Sequence, residues 1–122
     1  MNINLNDYKV LYIKTAREHL QKIKIALDQQ SLDEIRLHSH SLKNSSSVTG
    51  RKQIAQVASQ IEQCCLAAQK GEETAMLSTP RQKAIAEALD ALEKALEMIE
   101  KTNQEPDLTS ISLKLGKYCN PN

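Results

Sequence analysis

The chain has 122 residues, a formal net charge of +1, only three Gly and three Pro, three Tyr, and no Phe or Trp. That length supports one domain burying about two-thirds of its extended surface. The core must be mostly aliphatic, and the dominance of Ala, Leu, Lys, Gln and Glu favours helices over sheet. Near-neutrality removes any global electrostatic case for nucleic acid or an anionic membrane. No apolar stretch approaches a bilayer span, and Met1-Asn2-Ile3-Asn4 does not open a signal peptide.

Apolar residues recur at helical intervals through most of the chain. A first helix is predicted from about Leu5 to Leu27, with Leu5, Tyr8, Tyr12, Ala16, Leu20, Ile23 and Leu27 on one face. Ser31 reads as an N-cap, with Glu34 completing a capping box. The second helix carries Leu32, Ile35, Ser39, Leu42 and Ser46 inward, and Gly50 ends it or caps the next. The third shows the cleanest stripe, Ile54, Val57, Ile61, Cys64 and Ala68, with Gly71 as its stop. Ser78-Thr79-Pro80 starts the fourth, because Pro is tolerated in a first turn whose N–H groups have no helical partner. Its face is Ile85, Leu89, Leu92, Leu96 and Ile99.

These elements predict an all-α fold, an antiparallel four-helix bundle over residues 1–103, followed by a tail over 104–122. In the tail Pro106 opposes helix, and Ile111, Leu113 and Leu115 alternate with polar residues, so it reads as an extended or disordered end. Cys64, Cys65 and Cys119 form neither a disulfide framework nor a zinc spacing, which points to a reducing cytoplasm. Cys64 reads as core and Cys65 as its flank.

Chemistry concentrates in the segment from His38 to Gly50. At about 100 degrees per residue, His40 falls roughly 120 degrees from the centre of the second helix's apolar sector, on its solvent side. Arg36, Leu37, Lys43, Asn44 and Ser47 share that side. Leu37 is an outward apolar residue among small polar ones, as on a surface that a partner covers. No Asp or Glu lies between Ile35 and Ile61, whereas Arg36, Lys43, Arg51 and Lys52 do, so His40 stands on a basic side. A neutral imidazole is a competent nucleophile toward phosphorus near neutral pH. Phosphoryl transfer then asks the protein mainly for positioning and charge stabilisation, which Lys43 supplies one turn later. His38 reads instead as a packed flank residue, and His19 as a partly buried structural one. A His38/His40 metal pair is disfavoured, because a spacing of two sends the rings to different sides of a helix.

His40, Leu42, Lys43, Ser45 with Ser46, and Gly50 together resemble the motif of the histidine phosphotransfer (HPt) family of two-component phosphorelays. The resemblance extends over the helical pattern from Leu5 to Asn103. It implies a phosphoryl carrier that accepts phosphate on His40 from a receiver-domain Asp and returns it to another. Such a carrier has no ATP-dependent kinase activity, no cofactor and no metal of its own, the Mg²⁺ belonging to the receiver partner. It also implies that Glu62 or Gln63 hydrogen-bonds the second ring nitrogen of His40. The expected partners are receiver domains of response regulators or hybrid sensor kinases, met by a cytoplasmic monomer through Arg36, Leu37, Asn44 and Ser47. Asn44 departs from the family's usual Gly at that position. It leaves open a second function, a phosphorylation-independent interaction module using the same face.

Overall fold

A computed structural model describes residues 5–70 and 76–119; among these, five helices form and no strand. They are α1 (Leu5–Asp28), α2 (Leu32–Val48), α3 (Lys52–Gln69), α4 (Thr79–Thr102) and α5 (Thr109–Cys119). Gly71 and the side chain of Leu5 lie outside the described residues.

The inward residues expected for α2 and α4 are all buried, and Ile54, Val57, Ile61 and Cys64 of α3 join them. Their large side chains are aliphatic, as a chain without Phe or Trp requires. Partner pairs give the directions. Tyr12 meets Ser46 and His19 meets His38, so α1 and α2 run antiparallel. Arg36 meets Gln69 and Lys43 meets Glu62, so α3 opposes α2. Arg17 meets Glu100 and Lys24 meets Glu93, so α4 opposes α1.

Two helix ends follow from local chemistry. Gly50 takes φ +79° after α2, with its N–H on Ser47 O and that of Arg51 on Ser46 O. This is the left-handed Schellman stop that glycine adopts without a Cβ penalty. Gln30 does the same after α1 at φ 55°, and the Ser31 N–H is bound to Ala26 O. The expected capping box is therefore absent. The Ser31 side chain makes no cap hydrogen bond, and Glu34 turns to His38.

Tyr8 is also corrected. It is 55% exposed, because the first turns of α1 overhang the α2–α3 turn and leave it beside Val48, Thr49 and Arg51. The buried seam of α1 runs instead through Tyr12, Ile13, Ala16, Leu20, Ile23 and Ala26.

The tail differs most from expectation. Residues 109–119 are helical, and α5 packs against both α3 and α4. Its buried side is Leu115 and Cys119, preceded by buried Leu108 and joined by half-buried Ile111; Leu113 is 70% exposed. Pro106 precedes the helix and so does not interrupt it. The approach to α5 does a second job: the Glu105 carboxylate accepts from the Gln53 and Ile54 N–H groups, capping the start of α3. Gln53 in turn accepts from the Leu108 N–H. At its far end α5 is joined to α3 by a Cys64–Cys119 disulfide, overturning the reading of three unpaired cysteines; Cys65 alone is free. That pairing was hidden because it exists only once α5 is folded onto α3.

Candidate functional site

The exposed side of α2 between α1 and α3 carries His40. Its inward counterparts Ile35, Ser39, Leu42 and Ser46 are fully or nearly fully buried, and they fix the rotation of the helix. The two buried serines cost nothing in unpaired groups. Ser39 Oγ donates to Ile35 O at 2.6 Å, and Ser46 shares a 2.7 Å hydrogen bond with the Tyr12 hydroxyl. Burial pushes the Tyr12 phenol up to about 12, so the pair stays neutral.

His40 is half exposed, at 51% of its side chain, while Glu62 on α3 is only 14% exposed. His40 Nδ1 lies 2.8 Å from Glu62 Oε2, and Lys43 Nζ lies 3.2 Å from Glu62 Oε1. One carboxylate thus bridges the ring and the ammonium. A carboxylate only accepts, so Nδ1 donates, and in the neutral ring this leaves the lone pair on Nε2. The arrangement holds a nucleophilic nitrogen at the surface, fixes its tautomer, and places negative charge where positive charge develops on the ring during attack.

Of the two residues expected to reach the ring, Glu62 does so and Gln63 does not. Gln63 lies about 100 degrees further round α3 and lines a groove beside α5 with Leu115 and Cys119. Lys43 is tied to Glu62 and 30% exposed, so it enters the site as part of a triad around one shared carboxylate. Leu37 is 57% exposed, and Asn44 and Ser47 are exposed one and two turns beyond His40. Arg36 leans from this face into the α2–α3 seam, donating to Gln69 Oε1 at 2.9 Å, with Asp33 Oδ1 at 3.4 Å. Its docking surface is correspondingly reduced.

His38 turns to the other flank, where its Nε2 lies 3.3 Å from Glu34 and its ring sits 5.7 Å from that of His19. Burial, reinforced by His38 and Lys22, lowers the pKa of His19. Neither ring approaches the His40 triad. Among the described residues no group of three or more His, Cys, Asp or Glu is placed to hold a metal ion. No helix among them is long and apolar enough to cross a membrane.

The bridging role of Glu62 had no spacing signal within α3 itself, since only the packing of α3 on α2 selects it over its neighbour. The Glu105 cap and the Tyr12–Ser46 bond likewise join residues distant in sequence.

Comparison with known proteins adds one finding. The family model for the Hpt domain matches residues 7–102, which span α1 through the end of α4 and include the whole His40 triad. No curated protein and no solved structure matches the chain. The chain belongs to the Hpt domain family, whose members carry phosphoryl groups on histidine in two-component relays.

Proposed function

We propose that His40 is the phosphorylated residue and that the chain shuttles a phosphoryl group between receiver-domain aspartates. The observation that carries this reading is the 2.8 Å contact of His40 Nδ1 with Glu62, on a ring otherwise open to a partner. The Nε2 lone pair attacks phosphorus of an aspartyl phosphate, the N–P bond forms, the P–O bond to the Asp breaks, and the receiver recovers its carboxylate. The Nδ1 proton stays with the ring, and Glu62 offsets the positive charge that builds there. Lys43, one turn along α2, faces the same carboxylate and is positioned to attract phosphoryl oxygens as the group arrives. The reverse sequence donates the group. The protein supplies no ATP site in this scheme, and Mg²⁺ is the receiver's.

In this reading Leu37, Asn44 and Ser47 form the receiver-docking face, with Arg36 at its edge, on an Hpt four-helix bundle of α1–α4 working as a cytoplasmic monomer. The exposed Asn44 favours one competing reading, a module that binds a receiver without accepting phosphate. A single experiment separates the two. The purified protein is mixed with phosphorylated receiver domains and Mg²⁺, and acid-labile phosphate is mapped by mass spectrometry. The carrier reading expects one phosphate on His40 and none on a folded His40→Gln variant. Uptake that persists in His40→Gln overturns the assignment, and receiver binding without any uptake supports the binding-only module.

A further inference from the structure

The C-terminal helix is attached to the rest of the molecule by two unlike fastenings. Its approach is held by hydrogen bonds, Glu105 on the start of α3 and Leu108 N–H on Gln53. Along its length Ser112 pairs with Gln60, and the Tyr118 carbonyl accepts from Arg81. Its last described residue, Cys119, is covalently bonded to Cys64 in the C-terminal half of α3.

The two cysteines are both buried, Cys119 at 3% exposure, but they differ in position. A groove of about 380 Å³ runs between α3 and α5, and Cys119 lines it together with Gln63, Leu66, Lys70 and Leu115. Cys64 is fully buried and does not line the groove. Cys119 is therefore the side from which a thiolate in the groove would attack, with the Cys64 sulfur as the leaving group. The remaining cysteine does not interfere. Cys65 is buried, and burial raises its thiol to about 12, so it is not a thiolate at neutral pH and does not compete for the bond.

We propose that the Cys64–Cys119 pair is a redox latch, opened by a dithiol reductant that enters the α3–α5 groove, and that it sets whether α5 is covalently held on α3. In the first step the reductant's thiolate bonds to Cys119 Sγ, the Cys64–Cys119 bond breaks, and the Cys64 thiolate takes up a proton. In the second, the reductant's other thiol attacks the mixed disulfide. The reductant leaves oxidised and cyclised, Cys119 leaves as a thiol, and the protein has gained two electrons and two protons. A reducing compartment holds such a latch open, and an oxidising one closes it. The latch stands about 200 degrees around α3 from Glu62, so opening it frees α5 without touching the His40 triad. The inference is independent of which residue is phosphorylated.

The test uses the full chain, incubated with oxidised glutathione or with dithiothreitol. Thiol titration in denaturant is expected to find one thiol per chain after oxidation and three after reduction. Amide exchange over 109–119 is expected to be at least tenfold faster in the reduced protein, with exchange in α2 unchanged. Cys119→Ser is expected to match the reduced protein with or without dithiothreitol. Three thiols after oxidation, or equal α5 exchange in the two states, overturns the latch. Reduction of the native protein no faster than its global unfolding overturns entry through the groove.

Discussion

Replacing Glu62 by Gln changes one atom at the contact with His40 and removes the charge while keeping an acceptor. The substitution leaves the hydrogen-bond acceptor in place, so its effect is expected in the attack itself. In the proposed transfer, positive charge gathers on the ring next to the 2.8 Å contact as the N–P bond forms. A unit charge pair about 4 Å apart is worth about 1 kcal/mol in water and about 4 kcal/mol at an effective dielectric of about 20. With His40 half exposed and Glu62 largely buried, the cost falls between these limits, at about 1.5–3 kcal/mol. That is roughly a ten- to hundredfold slower uptake. Glu62→Ala should be slower still, because it also removes the acceptor that keeps the proton on Nδ1 and lets it occupy the attacking nitrogen. The assay is rapid-quench phosphoryl uptake from a phosphorylated receiver at fixed Mg²⁺, with helical content and unfolding midpoint checked for each variant. If folded Glu62→Gln takes up phosphate within twofold of the parent protein, the charge argument is wrong. If Glu62→Ala matches Glu62→Gln, the tautomer argument is wrong.

Two other predictions concern the scaffold. Glu105→Ala leaves two N–H groups at the start of α3 without their carboxylate and should cost about 1–2 kcal/mol; an unchanged urea midpoint would remove the cap from the account. His19 has a folded-state pKa below its unfolded value of about 6.5, so the unfolded chain binds more protons in acid. Stability should hold above that value and fall as pH drops below it toward the folded pKa. The charges facing the ring are those of Lys22, His38 and Glu18, of which only Glu18 favours protonation. His19→Gln should flatten part of the decline below about pH 6.5 in urea titrations, and an identical slope would assign the acid sensitivity elsewhere.

The parts of this molecule that were legible in its sequence are those fixed within a single helix. The inward set on α2 leaves His40 on the solvent side by rotation alone, and the spacing of Lys43 from His40 follows the same rotation. What was not legible depends on how one helix is turned against another. Glu62 and Gln63 are adjacent, and nothing in α3 by itself says which of them faces α2. The capping box failed for a related reason: Ser31 has the right side chain, but its backbone is already committed to the stop of α1 at Gln30.

The tail is the exception, because its sequence carries two competing apolar periods. Ile111, Leu113 and Leu115 alternate like a strand, but Leu108, Ile111, Leu115 and Cys119 recur at three and four, and these are the residues turned toward α3 and α4. Leu113, which only the alternating pattern needs, is 70% exposed. Once the helical period is chosen, Cys119 falls on the same face as Leu115, in line to meet a buried cysteine on the helix it covers. The disulfide and the groove beside it therefore follow from an apolar spacing of four that places Cys119 against α3.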